Sequence, residues 1–153
     1  MTHRQTTDEP RTLAHRLSLR FSSTARGARL ARRLAVQQLT EWTGLPHDSD
    51  AAHATALVTA ELTANAVIHG SLPGRDFRLT LLLPPEPVLR IEVTDTRPER
   101  LPRHPATDPG TPDAPSGRGL LLVAVYARRW GCEARDTVTK TVWAEVPLPT
   151  PSP

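Results

Sequence analysis

The 153-residue chain carries a formal net charge of +3 and a single cysteine, Cys132. This length suits one domain with one core, and a lone cysteine excludes an internal disulfide, so we interpret Cys132 as a structural thiol. Lys140 is the sole lysine, and the high pI therefore reflects arginines rather than a selected basic face, which argues against a nucleic-acid binder. No apolar run is long enough to span a membrane and no secretory signal is evident, so we expect a cytoplasmic protein.

The chain begins with a predicted tail, a strand and an arginine-rich helix. Residues 1–12 are polar and aperiodic, as in a disordered tail. Residues 13–21 alternate between apolar and polar side chains, which predicts a half-buried strand. Residues 25–42 follow capping residues and stop before Gly44, which predicts a helix whose arginines form either a solvated face or a partner-docking surface. The leucines of this helix are expected to face the core: Leu30, Leu34 and Leu39.

A second helix is predicted over residues 51–69, and it carries two polar residues that its burial does not need. Glu61 and Asn65 are four residues apart and therefore share one helical face, one turn apart. A carboxylate can polarise a hydroxyl or a water, and an amide oxygen can bind Mg²⁺. The pair suggests a metal–nucleotide site. His69 is either a catalytic base or a residue that packs at the helix C-terminus, where the dipole favours its charged form.

A proline-rich turn separates two predicted strands, residues 77–83 and 88–95. One face of the second strand is apolar: Leu89, Ile91 and Val93. Asp95 has the same parity, so its carboxylate is aimed toward the apolar side at the end of the strand. A carboxylate placed there needs a hydrogen-bond donor.

A long loop, a third helix and two strands complete the chain. Residues 96–116 contain six prolines and no periodicity, and a loop of this length is usually functional or mobile. The segment 117–119, Gly-Arg-Gly, precedes a helix predicted over residues 120–130 and ended by Gly131. Glycines at a helix start let backbone N–H groups approach a phosphate, although the same residues also suit a joint that binds no ligand. Two strands and a proline-rich tail follow: 132–135, 141–146 and 149–153.

The order of these features resembles the GHKL, or Bergerat-fold, ATP-binding domain, and within it the small anti-sigma-factor serine/threonine kinases of the histidine-kinase-like ATPase type. Residues 61–70 resemble the N-box, 93–95 the first glycine box, 117–120 the second, and 141–145 the closing strand. The resemblance covers about residues 13–148. It implies an α/β two-layer sandwich, in which a mixed sheet is covered on one face by three helices.

The resemblance also implies a role for each matched residue. Glu61 would be the general base that accepts a proton from a substrate hydroxyl or a water. Asn65 would coordinate the Mg²⁺ that bridges the ATP phosphates, and Asp95 would bind the adenine amino group, supported through water by Thr141. Residues 96–116 would form the ATP lid. The second glycine box would bind phosphates, largely through backbone N–H groups: Gly117, Arg118, Gly119 and Leu120.

One position departs from the family pattern. The first glycine box usually reads Asp-x-Gly, whereas here Arg97 follows Asp95 and Thr96. Without the glycine, the backbone passes the nucleotide less closely and adopts positive φ less readily.

The resemblance implies an ATP-dependent serine/threonine kinase that phosphorylates an anti-anti-sigma partner with a STAS domain. A sigma factor would be a further partner, and a homodimer is left open. Neither nucleic acid nor a membrane would be bound directly. The departure at Arg97 keeps an alternative open, an ATP-binding interaction module that transfers no phosphoryl group.

Overall fold

A computed structural model describes residues 15–70, 75–95, 115–134 and 139–150. Within these ranges the chain forms five strands, three α-helices and one short π-helical segment, Ala66–Gly70, which continues the second helix. The strands and α-helices follow in this order: β1 His15–Ser22, α1 Ala25–Thr43, α2 Asp50–Asn65, β2 Asp76–Leu83, β3 Val88–Asp95, α3 Pro115–Tyr126, β4 Arg129–Ala134 and β5 Lys140–Pro147.

The five strands form one sheet in the order β1-β2-β3-β5-β4. Helix α2 packs against α1 and α3 and rests on β3 and β5, which confirms the predicted two-layer α/β sandwich. The sheet was expected to be mixed, but each of its four pairings is antiparallel. The reason is that β2–β3 and β4–β5 are each antiparallel neighbours along the chain, and β5 returns beside β3 in the opposite direction.

Alternate residues of the three central strands form the sheet side of the core. We call the face of the sheet that the helices cover the inner face, and the opposite face the outer face. The inner face contributes these buried side chains: Phe77, Leu79, Leu81, Leu89, Ile91, Val93, Val142, Ala144 and Val146. Asp95 is only 3% exposed and shares their parity. The predicted direction of its carboxylate, toward the apolar side at the end of β3, therefore holds.

Helix α1 buries Leu39 as predicted and packs Leu34 partly against the core, but the rest of its buried row consists of small residues. Thr24 caps it by accepting a hydrogen bond from the Gly27 N–H, and Gly44 ends it with a φ of 79°. Its buried positions lie four residues apart: Gly27, Ala31, Ala35 and Leu39. Leu30 is 44% exposed, so its assignment to the core was wrong. A Cβ at residue 27 would lie 1.9 Å from the backbone oxygen of Ser22, which shows that helix and strand meet too closely for larger side chains there.

The third helix ends four residues earlier than the sequence predicted. Helix α3 ends at Tyr126, and Gly131 lies within β4 rather than terminating the helix. The ring of Trp143 on the neighbouring strand explains the glycine, because a Cβ at residue 131 would lie 2.9 Å from the Trp143 Cζ2 atom. Gly131 is therefore a cross-strand contact and not a helix cap.

Several predictions fall outside the described residues. These are the N-terminal tail 1–12, residues 96–114 of the lid with Arg97 among them, and the end of the C-terminal tail, 151–153. The division of the chain into tails, lid and domain therefore stays a prediction. Within the part that is described, no helix combines the length and the hydropathy needed to cross a membrane.

Candidate functional site

Helix α2 holds the first two predicted site residues. Its N-terminus is capped by Ser49, whose hydroxyl accepts a hydrogen bond of 3.1 Å from the Ala52 N–H. Asn65 is the last α-helical residue and is only 7% exposed, while Glu61 lies one turn earlier and is half-buried. The Ala66 N–H then bonds both the Leu62 and Thr63 carbonyls, where the helix changes to the π-helical form. Such π-helical turns are frequent at functional sites.

The Glu61 carboxyl has an altered acidity. Partial burial raises the pKa of Glu61 above its ordinary value, because burial disfavours the charged form. No described cation forms an ion pair with it. A carboxylate with a raised pKa is a better proton acceptor than an ordinary surface glutamate, which is the property that a general base requires.

Asp95 lies at the end of β3 beside a buried lysine. Lys140, the first residue of β5, is the direct cross-strand neighbour of Asp95. The Lys140 Nζ atom is 4.0 Å from the Asp95 Oδ2 atom, and the two side chains are 1% and 2% exposed. The chain itself therefore places a cation beside Asp95, although 4.0 Å is too long for the hydrogen bond that the sequence predicted.

Lys140 was missed as a site residue although the sequence contained a signal for it. In β5 it has the parity of the apolar inner-face residues: Val142, Ala144 and Val146. The alternation argument that placed Asp95 on the apolar side applies equally to Lys140. The lysine also affects its surroundings, since burial raises the pKa of the Cys132 thiol while the Lys140 charge opposes that rise.

Thr141 is fully buried and has a different neighbour from the one expected. Its cross-strand partner is Thr94, and the two hydroxyls share a hydrogen bond of 2.7 Å. By strand alternation this bond lies on the outer face, whereas Asp95 points to the inner face. The predicted support of Asp95 by Thr141 thus stays a prediction, and this hydrogen bond does not contribute to it.

The second glycine box lies inside helix α3 and not before it. The helix begins at Pro115, a residue that suits the first helical position, so Gly117 falls in the first turn and Gly119 a little further in. Backbone N–H groups in the first turn lack partners within the helix, which is the property that suits a phosphate. The Leu120 side chain is buried, with 2% exposed, and its predicted backbone contact with phosphate stays a prediction.

The elements that carry these residues are neighbours. Helix α2, with Glu61 and Asn65, packs on β3 and β5, which end and begin at Asp95 and Lys140. Helix α3, with Gly117, packs against α2. The fold therefore packs together the elements that carry the three predicted boxes.

A cavity of about 400 Å³ opens at the ends of the central strands. It is lined by Asp95 together with charged, polar and aromatic neighbours: Arg20, Arg75, Asp76, Phe77, Arg78, Thr94 and Thr139. Of the predicted site residues with described side chains, only Asp95 reaches it. Glu61 and Asn65 lie elsewhere at the layer interface, so this cavity is not the whole of a nucleotide site.

The described residues contain no preformed cluster of three or more His, Cys, Asp or Glu side chains that would hold a metal ion. Asn65 offers one amide oxygen and Glu61 one carboxylate. Such a sparse donor set fits Mg²⁺, which keeps several waters and is normally held by one or two protein groups plus phosphate oxygens.

Comparison with known proteins agrees with the geometry. Residues 21–144 match the family described as the histidine kinase-like ATPase domain. No curated protein sequence is significantly similar to the chain.

Two solved structures share the fold. The chain is similar to the structure of the SiaB–SiaC complex from Pseudomonas aeruginosa, with a TM-score of 0.61 and 12% identity over 95% of each chain. It is also similar to the RsbU and RsbW domains of Rv1364c from Mycobacterium tuberculosis, with a TM-score of 0.53 and 16% identity; that match covers 88% of this chain and only 33% of the other. The family match spans most of the sequence, and the chain therefore belongs to the histidine kinase-like ATPase domain family.

Proposed function

We propose that this protein is a cytoplasmic, ATP-dependent regulator that transfers the γ-phosphoryl group of ATP to a serine or threonine of an anti-anti-sigma partner with a STAS domain. One observation carries the proposal: a half-buried glutamate of raised pKa, Glu61, lies one helical turn before the buried Asn65 amide. Membership of an ATPase-domain family supports ATP as the ligand. A similar fold in a two-protein complex, SiaB–SiaC, supports a protein partner.

The proposed nucleotide position uses the three neighbouring elements. Asp95 accepts a hydrogen bond from the adenine amino group at the end of β3. The first turn of α3, which contains Gly117, directs backbone N–H groups and a positive dipole end at the phosphates. Asn65 would be the protein ligand of Mg²⁺, and the ion would offset phosphate charge.

In the transfer step, Glu61 accepts the proton of the substrate hydroxyl. The hydroxyl oxygen of the partner forms a bond to the γ-phosphorus while the bond from that phosphorus to the bridging oxygen breaks, and ADP leaves with that electron pair. The hydroxyl proton passes to the Glu61 carboxylate, whose raised pKa favours this transfer. Catalysis then consists mainly of positioning and charge stabilisation.

The test is a phosphotransfer assay with a radiolabelled γ-phosphate and a purified STAS-domain protein. For Glu61→Gln we expect the rate of transfer to fall by about 100-fold or more, while the affinity for Mg·ATP changes little. For Asn65→Ala we expect the affinity itself to fall by about tenfold, the loss of one bond to a charged group. Glu41→Gln, at an exposed position of α1, is the matched control and should change neither quantity.

A second function is favoured by Arg97, which replaces the usual glycine two residues after Asp95. In this alternative, ATP is a structural ligand that sets the affinity for a partner, and no phosphoryl group is transferred. Calorimetry separates the two. Binding of Mg·ATP by the wild-type protein without a phosphorylated partner supports the interaction module, and unchanged transfer in Glu61→Gln contradicts the proposed mechanism.

A further inference from the structure

The Asp95–Lys140 pair interrupts an otherwise apolar register. Strands β3 and β5 are paired over eight residues, and the other inner-face pairs with described side chains are apolar: Leu89–Val146, Ile91–Ala144 and Val93–Val142. A buried ion pair contributes little to stability, because desolvating two charges offsets their attraction. The fold could be completed at this position by two more apolar residues. The charges therefore call for an explanation beyond packing.

The position of the pair supplies that explanation. Asp95 lines the cavity at the strand ends, as does Thr139, the residue before Lys140. Lys140 itself is 1% exposed and does not line the cavity. Asp95 therefore borders the space that a ligand would enter, whereas its partner Lys140 does not.

We propose that Lys140 sets the base specificity of the site by holding Asp95 in its charged, acceptor-only form; this inference rests on the proposed binding of a nucleotide beside Asp95. At 4.0 Å the Lys140 Nζ atom is beyond a direct hydrogen bond with the Asp95 Oδ2 atom, so it acts on that oxygen through its charge. An opposite charge at this distance favours the ionised carboxyl against the effect of burial.

The protonation state of Asp95 decides which purine is accepted. An ionised carboxylate only accepts hydrogen bonds, whereas a protonated carboxyl can also donate one. The 6-position of adenine carries an amino group, which donates, and that of hypoxanthine carries a carbonyl, which accepts. The charged form therefore binds adenine and repels hypoxanthine, while a neutral carboxyl would tolerate both. Lys140 is in this sense a positioning residue, which acts on the base through Asp95.

The wild-type protein alone provides a test that needs no variant. Three Mg-bound triphosphates are compared by calorimetry: ATP, inosine triphosphate and the triphosphate of purine riboside, which has only hydrogen at the 6-position. We expect the affinity to fall about tenfold from ATP to the purine compound, because the hydrogen bond from the amino group to Asp95 is lost. We expect a further fall of about tenfold to inosine triphosphate, because its carbonyl oxygen and the Asp95 carboxylate both only accept hydrogen bonds. Inosine triphosphate binding as tightly as the purine compound would overturn the inference.

Variants of Lys140 then test the lysine directly. In Lys140→Met we expect the preference for ATP over inosine triphosphate to fall by about tenfold or more. In Lys140→Arg, which keeps the charge, we expect this preference to stay within about threefold of the wild-type value. Arg90→Met removes a cation from the outer face of the same two strands and should leave the preference unchanged.

Three further outcomes are informative. If Lys140→Met weakens both triphosphates equally, the lysine is only structural and the inference is wrong. If ATP binds to the wild type but shows no preference over inosine triphosphate, the inference fails and the proposed function stands. Absence of binding by all three triphosphates would overturn the proposed function itself.

Discussion

Two ion pairs join β3 to β5, one on each face of the sheet, and they are built differently. On the outer face, an Arg90 Nη1–Glu145 Oε2 bond of 3.2 Å joins direct cross-strand neighbours. Arg129 also donates to Glu145, from Nε at 2.9 Å and from Nη2 at 2.7 Å, and Arg90 lies over the Trp143 ring at 4.0 Å from its centroid. On the inner face, Lys140 and Asp95 are 4.0 Å apart and almost fully buried.

The difference separates a structural role from a functional one. In the outer network, partly exposed arginines make direct hydrogen bonds to the buried Glu145, so its charges are explained by one another without a ligand. The inner pair has both side chains almost fully buried and its atoms are further apart, so its desolvation cost is larger. Asp95 of the inner pair lines the cavity, and no residue of the outer network does, which is why we assign a functional role to the inner pair.

The largest expected effect tests the cost of the inner pair. We expect Lys140→Met to lower the free energy of unfolding by about 3–5 kcal/mol, because it leaves the Asp95 carboxyl buried beside no ammonium. Arg90→Met, measured in the same urea titrations, should cost only about 1 kcal/mol, since Arg129 still binds Glu145. The double variant Lys140→Met/Asp95→Leu should recover most of the loss. Equal losses in the two single variants would show that the inner and outer ion pairs do not differ in their contribution to stability.

A smaller effect is expected from the packing of the outer face. In Gly131→Ala the new Cβ would meet the Trp143 ring at 2.9 Å, so we expect a loss of about 1–3 kcal/mol from overpacking. In a Trp143→Leu background the same glycine substitution should cost clearly less, because the ring is gone. Thermal unfolding of the wild type, the two single variants and the double variant gives the coupling free energy between residues 131 and 143. Strictly additive effects would show that the ring and the glycine are independent.

The smallest effect concerns Glu61, a half-buried carboxyl with no described cation partner. Its pKa is raised in the folded protein, so the folded state is penalised once the group ionises, and the penalty grows as pH rises through and above the ordinary glutamate pKa. We expect Glu61→Gln to raise Tm by about 1–2 °C at neutral pH, a small value because the group is partly exposed.

The gain in Glu61→Gln should disappear at a pH below the ordinary glutamate pKa, where the carboxyl is protonated in both the folded and unfolded states. A stabilisation that is the same at acidic and neutral pH would show that the substitution acts through packing and not through charge.

Strand alternation was the part of the sequence pattern that best predicted the positions of site residues. Asp95 was placed correctly because a period of two fixes which face a residue occupies, and capping chemistry located the starts of α1 and α2. Lys140 was overlooked because charged residues were not expected at an apolar position, although its parity was visible.

Tertiary contacts explain the errors. The buried row of α1 runs from Gly27 to Leu39, and a glycine is needed at position 27 because the helix meets the end of β1 there. Hydrophobicity alone favoured the exposed Leu30 instead. Gly131 was interpreted as a helix stop because its contact with the Trp143 ring depends on a neighbouring strand. Contacts of this kind depend on how one element packs against the next, and they leave little trace in local patterns.

The burial of the only lysine gives the protein a built-in reporter. All the other Lys and Arg residues are arginines, so a reagent that acylates amines can react with only one side chain of this type. That side chain, Lys140, is 1% exposed. Acylation of Lys140 therefore requires the end of the β3–β5 pairing to open, and its rate measures how often that opening occurs. A ligand seated against Asp95 would slow the reaction, so mass spectrometry of one residue can follow the site in the unlabelled, wild-type protein.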